Sequence, residues 1–580
     1  MTNSTNTRQR PSIEKPWMKY FERVNITEPV PACTIYEYFK QSIAHNPNGY
    51  GLNYYGKKVT HAEMIRQIEL TAAAYAALGV KQGDTVSFVS VAVPETIFSI
   101  YALNKLGATA NLIDPRMDVE SIRRMIVESG SRITVSINLA YPKIDKIMDA
   151  IAQDKILIQS AARSLPFIKK VAVNIAVRQS IPYSDKILKW DTFLAGGAGV
   201  TTEAAPYVKD AVVGIAYTGG TTGFPKGVMF TNDSINAVAY NFKYAGLATK
   251  SGESFLGIIP VFTSYGLVCG MHMPLCMDVE LMPIPKFDPT KFGKLVRDMR
   301  PNHIISTPAF YELMMDSAEV KGLDLSFLVT LGSGGDTMNE GIAARLSQFM
   351  KDHNIRYPLA QGYGLSEMSA AVSFCVNDIY KEFSVGIPSV TTTVGIFDPD
   401  TGEEMGYCEN GEVCVTGPSI MKGYYNRPEE TANVMHLHDD GRLWIHTGDL
   451  GYIDEDGFIF IKGRTKRMIT RFDGHKVFPV NIESLVAARD TVHNCCVIGV
   501  GDRGHSQGQY PFVFVDLVDG IDAEAERASI YAECQELLEE RGRPVGVMVV
   551  DEIPLTGAGK NDYRALEEKF STYDYTADTY

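Results

Sequence analysis

The chain reads as an α/β protein, a large body of wound sheets followed by a small separate C-terminal domain. Three observations predict this. Apolar patterning alternates between helix and strand from Val59 to Pro115. The alternation resumes after Asp210 and runs to about Ile461. From Arg464 a run of charge and turn signals leads into a last segment with strands and a helix of its own. Repeated strand and helix marks a sheet whose faces are covered by helices. At roughly 150 residues per folding unit, a chain of 580 residues holds three or four such units.

In chain order, Met1 to Pro16 is polar and Pro-containing, without the basic, apolar and small-residue layout of a signal peptide. It is expected to be a loose leader, within a leader region spanning 1–33. Met64, Ile68, Ala72, Tyr75 and Leu78 fall on one helical face; a Gly-containing turn from Gly79 to Asp84 and a strand from Thr85 to Val91 follow. Another helix then leads to Leu112–Pro115. The stretch Lys155 to Lys189 is basic, through Arg163, Lys169, Lys170 and Arg178, and sets Phe167, Val171 and Ile175 at helical spacing. Two readings stand: an insertion helix packed on its own domain, or a weak membrane-surface contact that collects a lipidic substrate. The last segment, roughly 115 residues and so the size of a small domain, carries strands at Cys495–Val500 and Phe512–Leu517 and a helix at Asp522–Arg541.

Composition narrows the function classes. Hydrophobic residues at 45% and charged residues at 21% suit a packed globular body. A net charge of -14 argues against a nucleic-acid surface, which needs clustered Lys and Arg; ATP can still bind through local positive sites. The nine cysteines are odd in number and scattered, with no C-x-x-C pair, and read as buried free thiols in a reducing cytosol. No stretch approaches 18 uninterrupted apolar residues, so no membrane-spanning helix is expected. His272, His446, His475 and His493 form no spaced metal set.

The strongest local signal is Tyr217-Thr218-Gly219-Gly220-Thr221-Thr222-Gly223-Phe224-Pro225-Lys226-Gly227. One apolar strand enters it and another leaves it, which makes it a hairpin tip. Glycines let backbone N–H groups turn toward one point, and threonine hydroxyls with Lys226 add donors and charge, a combination suited to a polyphosphate. A Walker loop would open a helix with G-K-[S/T], whereas Lys226 is followed by Gly227.

Downstream come Gly332-Ser333-Gly334-Gly335-Asp336, Gln361-Gly362-Tyr363-Gly364-Leu365-Ser366-Glu367, Trp444-Ile445-His446-Thr447-Gly448-Asp449, Gly463-Arg464-Thr465-Lys466 and Leu555-Thr556-Gly557-Ala558-Gly559-Lys560. In this order and spacing the set resembles the adenylate-forming superfamily of acyl-CoA synthetases, luciferases and nonribosomal adenylation domains. The resemblance runs from about Thr34 to the end and takes in Lys105-Leu106-Gly107, Asp114-Pro115 and Gly411-Glu412. It implies an adenylate-forming domain at 34–463, with wound α/β subdomains and a β-barrel-like subdomain, and a mobile α+β domain at 464–580.

The resemblance also implies roles. The Thr218–Gly227 loop would hold the β and γ phosphates of ATP and Ser366 the α-phosphate, with Glu367 on Mg²⁺. Asp449 would accept the ribose hydroxyls and Arg464 would pair with ribose and phosphate. Gly334, Gly335, Asp336 and Tyr363 would wall the adenine, with Gln361, Gly362 and Gly364 in the same pocket. Lys560 would bridge the acid and the α-phosphate, and Lys466 would be the hinge between an adenylating and a thioester-forming pose. Gly474 and His475 would approach the pantetheine tunnel of coenzyme A, and Phe262, Tyr265 and Gly362 would line the acyl pocket.

Three departures bear on the acid. Gly219 stands where serine is most common, and Thr470 where many relatives carry lysine, which puts luciferase-like chemistry in doubt. Thr263, in Pro260–Gly266, stands where the family has His, or Asp in amino-acid-activating members. Without that Asp nothing pairs an α-ammonium, and an unpaired buried charge is costly. The expected substrate is a medium- or long-chain fatty acid or an aryl acid, activated to acyl-AMP and passed to coenzyme A. A carrier-protein thiol as acceptor, or a non-catalytic lipid-binding relative at the membrane, are the other readings.

Overall fold

The computed structural model describes residues 9–176, 179–218, 224–336, 338, 340–501, 507–555 and 561–570. Two wound sheets carry the body. The first runs, in spatial order, through the strands Gly423–Tyr424, Gly227–Thr231, Val212–Tyr217, Thr109–Ile113, Thr85–Val89, Ile133–Ile137, Lys155–Gln159 and Ile187–Lys189. From Val212–Tyr217 onward the pairing is parallel. Thr109–Ile113 and Ile133–Ile137 are buried at every residue, as a parallel sheet covered on both faces requires. The second sheet has nine strands and recruits Tyr50–Tyr54 and Lys57–Thr60 from the start of the chain onto a parallel core of Glu280–Pro283, Ser254–Gly257, His303–Ser306, Thr330–Ser333 and Ala360–Tyr363.

The helix His61–Ala77 forms where the apolar spacing places it, and the Thr60 hydroxyl caps it by accepting from Glu63 N. The helix Pro94–Lys105 is buried at all twelve positions, so it lacks a polar stripe. Its end is pinned by polar contacts: Asn104 Nδ2 donates to Asn232 Oδ1 at 2.8 Å and buried Lys105 pairs with Glu69. The hairpin predicted at 212–230 is present as an antiparallel pair of Val212–Tyr217 with Gly227–Thr231.

A third, antiparallel sheet is built from Thr393–Phe397, Gly411–Thr416, Leu443–Ile453, Met435–Leu437 and Ile459–Arg464. It is the element expected as barrel-like. The register between Gly411–Thr416 and Leu443–Ile453 slips between Glu412 and Cys414, opposite Thr447–Asp449, a bulge that re-aims those three residues. After the short 3₁₀ turn Thr465–Arg467, the chain forms a small unit with its own core. There Val492–Gly501 pairs antiparallel with Gln509–Leu517, and Val547–Val549 adds in parallel. Ile482, Val497, Val513 and Ile530 are buried together beneath the helices Pro479–Ala487 and Ala523–Leu537.

Two expectations change. The leader is not loose over Pro11–Phe21: Ser12 donates through N and Oγ to Glu404, at 3.0 and 2.9 Å, and Trp17 is 0% exposed. A Cβ on Gly457 would stand 2.8 Å from Trp17 N, so the hairpin turn there closes directly against the Trp17 backbone. In the basic segment, the helix Phe167–Ala176 packs through Val173. It leaves Phe167 and Ile168 80% and 82% exposed, with Ile175 also outward, so it is only partly laid against its own domain.

Removing a fully enclosed indole costs about 3–5 kcal/mol. Trp17→Ala is expected to lower the urea midpoint of the first unfolding transition accordingly; an unchanged midpoint would show that the N-terminal segment carries no load.

Candidate active site

The sheets meet around one large cavity of about 1310 Å³. Its polar end is assembled from loops at the carboxyl ends of the second sheet's parallel strands, the usual ligand position of an open α/β sheet. The strand Thr330–Ser333 delivers Gly334, Gly335 and Asp336, and Ala360–Tyr363 delivers Gln361 through Glu367. Gly335 adopts φ +82°, which favours glycine. At Gly364 a Cβ would fall 1.5 Å from Ala370 O, so no side chain fits.

Thr218 and Lys226 enter from the hairpin, closed where Thr218 N donates to Lys226 O at 3.0 Å. Lys226 Nζ lies 4.5 Å from the ring centre of Tyr424. The Tyr424 hydroxyl donates to Glu367 Oε1, and burial and this carboxylate push its pKa well up, so it stays a donor. Among the described residues, none donates to Glu367 Oε2. The Ser366 and Ser264 hydroxyls are 2.9 Å apart.

The bulge at Thr447–Asp449 carries Asp449 into the cavity. Its carboxylate is buried and held from two sides: Arg464 Nε lies 2.9 Å from Oδ1, and the Tyr363 hydroxyl donates to Oδ2 at 2.5 Å. Asp449 and Arg464 are direct partners across the ladder. Burial, then Asp449, pushes the Tyr363 hydroxyl well above its ordinary range, while Asp449 raises Arg464 further. A carboxylate flanked in this way is an acceptor fixed in place.

The other end of the cavity is apolar. Phe262 and Tyr265 stand at its entrance, where Tyr265 packs against Gly334 and Gly335 and Arg116 lies 5.3 Å over the Phe262 ring. Beyond them the limb is lined by Cys269, Met273, Met277, Phe255 and the stacked pair Phe242–Phe374, whose ring centres are 4.4 Å apart. The first part of this wall, Tyr265–His272, is a π-helix. Thr263 serves its start: its hydroxyl donates to Pro260 O at 2.8 Å and accepts from Gly266 N at 3.0 Å.

Of the residues singled out in the sequence, Gly219, Gly220, Thr221, Thr222, Gly223 and Lys560 lie outside the described residues. The chain beside Lys560 is at the cavity, however. Asn561 and Tyr563 line it, and Asn561 exchanges hydrogen bonds with Asn494 and donates to Cys495 O at 2.8 Å. Lys466 lies in the 3₁₀ turn that joins the body to the small unit. Gly474 and His475 are not brought to the cavity. They sit in the turn between Ile469–Thr470 and Lys476–Val477, where His475 borders a separate pocket of about 310 Å³ with Asn410 and Lys462.

Comparison with protein families matches residues 39–425 to the AMP-binding enzyme family, and 481–560 to its C-terminal domain. The chain belongs to the AMP-binding enzyme family. Among its relatives, the long-chain-fatty-acid–CoA ligase of Bacillus subtilis (strain 168) is 30% identical, over 96% of this chain and 98% of that one. The 4-coumarate–CoA ligase 1 of Oryza sativa subsp. japonica is 27% identical, over 87% and 86%. This AMP-binding enzyme also shares its fold with solved structures. The anthranilate CoA ligase AuaEII in complex with anthranoyl-AMP matches with a TM-score of 0.80 at 19% identity, over 93% of this chain and 98% of that one. ATP-bound MatB from Rhodopseudomonas palustris matches with 0.77 at 22%, over 93% and 100%.

Sequence reasoning missed Tyr424, Ser264, Arg116 and Asn561. Tyr424 reaches Glu367 because Gly423–Tyr424 pairs with Gly227–Thr231, a contact across about two hundred residues of chain that no local pattern announces. Arg116 did carry a signal, following Asp114-Pro115, and it pairs with Asp114 at 2.7 Å. Of the four histidines, His446 lies against Cys414 and Glu412.

Gly364→Ala must displace the Ala370 carbonyl, an overpacking cost of about 3 kcal/mol. The variant is expected to show a clearly lowered urea midpoint; a wild-type midpoint would mean that the Ser366–Glu367 loop gives way freely.

Proposed function

We propose that this enzyme activates a carboxylic acid with an apolar tail, a medium- or long-chain fatty acid or an aryl acid, and transfers it to coenzyme A. The acid's carboxylate attacks the α-phosphorus of ATP, the α–β phosphoanhydride breaks, and pyrophosphate leaves. The coenzyme A thiol then attacks the acyl carbon of the acyl-AMP and AMP leaves with its phosphate oxygen. The observation that carries this reading is one continuous cavity with fixed carboxylates, a lysine and an arginine at one end and an apolar limb at the other.

Each residue has a task suited to its chemistry. A carboxylate is a poor acyl donor because hydroxide is a poor leaving group, and AMP replaces it. Charge builds on phosphoryl oxygens as ATP reacts, so positioned cations and N–H groups supply most of the catalysis. Lys226 and Ser366 face those oxygens. Asp449 accepts the ribose hydroxyls, a task that suits a carboxylate held in place by Arg464 and Tyr363, since its two oxygens offer about four lone-pair sites. Gly334, Gly335 and Tyr363 flank the adenine. Mg²⁺, a hard cation that favours carboxylate oxygen, neutralises polyphosphate charge when bound, and Glu367 would hold it through Oε2 while Tyr424 fixes Oε1.

Lys560 brings its ammonium between the acid and the α-phosphate, two like-charged reactants that otherwise repel. The position of Asn561 at the polar mouth supports that placement. In this pose the turn with Gly474 and His475 lies elsewhere, which is consistent with a second pose, reached by rotation about Lys466, in which that turn lines the pantetheine path. The apolar limb and the absence of an acidic partner at Thr263 favour a tail without an ammonium.

The free thiols fit a reducing cytosol, and the exposed apolar face of Phe167–Ala176, beside Lys169 and Lys170, fits peripheral contact with an anionic inner membrane face. Among the described residues no helix is long and apolar enough to cross a membrane.

Incubation with ATP, Mg²⁺, coenzyme A and a panel of acids is expected to release pyrophosphate and yield acyl-CoA; accumulation of acyl-AMP without acyl-CoA would remove coenzyme A as the acceptor. In the same assay Lys560→Ala is expected to lose adenylate formation but still convert supplied acyl-AMP to thioester, while Lys466→Pro, which fixes φ at the hinge, slows mainly thioester formation. Equal loss of both steps in both variants would end the two-pose reading. For the membrane contact, co-sedimentation with phosphatidylglycerol vesicles is expected for the wild type and not for Phe167→Glu/Ile168→Glu; equal sedimentation of both refutes it.

A further inference from the structure

The outer face of the antiparallel sheet gathers donors that the nucleotide site does not use. Cys414 and His446 are direct partners across the ladder between Gly411–Thr416 and Leu443–Ile453. Glu412 lies two residues before Cys414, on the same face of its strand. His446 Nδ1 is 2.8 Å from Glu412 Oε2 and 3.5 Å from Cys414 Sγ. One donor atom from each of the three residues lies within 4.8 Å of the others. On its far side His446 Nε2 is 2.9 Å from His438 Nε2, and the His438 ring stacks on Trp444 with the planes 17° apart.

We propose that Glu412, Cys414 and His446 form a binding site for a borderline-soft divalent cation of the Zn²⁺ type, with a fourth position open to solvent on the side of the half-exposed rim. Nitrogen, sulfur and carboxylate oxygen are the donor set zinc takes. With Zn–N of about 2.0 Å and Zn–S of about 2.3 Å, a tetrahedral angle sets nitrogen and sulfur about 3.5 Å apart, which is the spacing found here. The Glu412 oxygen needs to withdraw from His446 by only about half an ångström to reach its own edge of the tetrahedron.

His438 supplies the partner that a metal-bound imidazole needs. A ligating histidine donates its other ring N–H to a fixed acceptor, which sets the tautomer. When His438 Nε2 accepts from His446 Nε2–H, the lone pair of Nδ1 points toward Cys414 and Glu412. Without the cation, the same atoms form a relay in which Nδ1–H donates to Glu412 and His438 Nε2–H donates to Nε2. Cation binding reverses both imidazole tautomers with no net proton change there. It releases one proton, that of the Cys414 thiol, to solvent. That thiol is fully buried, and an uncompensated buried charge is costly, so a thiolate forms there only with a cation to compensate it.

The site adjoins the nucleotide machinery: His446 borders the same cavity, and Glu412 Oε1 accepts from Gly448 N at 2.9 Å, one residue before Asp449. Cation binding therefore anchors the bulge that presents Asp449.

The test uses the full chain, stripped with a chelator and titrated with Co²⁺ and then Zn²⁺ in the absence of ATP and Mg²⁺. One Co²⁺ per chain is expected, with a thiolate-to-cobalt charge-transfer band in the near ultraviolet that Zn²⁺ abolishes. Cys414→Ser is expected to lose the band and to weaken Zn²⁺ binding at least about 10-fold, the lower end for loss of a supporting group, whereas Cys408→Ser keeps both. Should Cys414→Ser fail to fold, His438→Asn at the rim reports on the same site through an affinity about 10-fold weaker. No band in the wild type, a band retained in Cys414→Ser, or Zn²⁺ affinity unchanged in His438→Asn overturns the proposal.

Discussion

Everything at the polar end of the cavity is set out around one buried carboxylate. Asp449 comes from the antiparallel sheet, Tyr363 from the second wound sheet, and Arg464 from the last residue before the tether to the small unit. A charge taken out of water must be met by donors and countercharge, or it destabilises the fold around it. The pairing therefore fixes the antiparallel sheet, with the residue that leads into the tether, against the second wound sheet. The bulge at Thr447–Asp449 makes this reach feasible, because a regular ladder would alternate these residues strictly between the two faces of the sheet.

Around that anchor the cavity divides its labour by composition. Tight backbone turns shape the polar end, Gly335 at a positive φ and Gly364 packed against the Ala370 carbonyl, while full-length side chains line the apolar limb. The neutral tyrosines Tyr363 and Tyr424 are the intermediaries. Both are buried deeply enough to stay protonated, so each holds a carboxylate in place without adding charge to the site.

Much of this was legible from the residues. The helix His61–Ala77, the hairpin around Thr218–Lys226 and the strands and helix of the last segment fall where periodicity and turn residues placed them. Residues such as Gly334, Ser366 and Asp449 converge on one cavity because each sits in a loop directly after or within a strand, where a local motif and its place in the fold coincide. What stayed hidden needed contacts between distant parts of the chain. Tyr424 matters only because a two-residue strand pairs with the hairpin, Trp17 only because Gly457 closes against its backbone, and His446 only because its partner strand sets Cys414 opposite. None of these leaves a trace in spacing, and scanning histidines for a linear metal pattern misses a cluster assembled across a ladder.

The π-helix Tyr265–His272 has a further meaning. Its wider turn accommodates one more residue than an α-helical turn would, and it forms one wall of the apolar limb while its ends are tied to the Pro260 carbonyl and to Asn236 through His272. Loss or gain of one residue inside it would re-index that wall by about a quarter of a turn and leave both tied ends in place. Evolution, or an engineer, thus has a dial for the bore of the tunnel that works in single-residue clicks and spares the surrounding sheets.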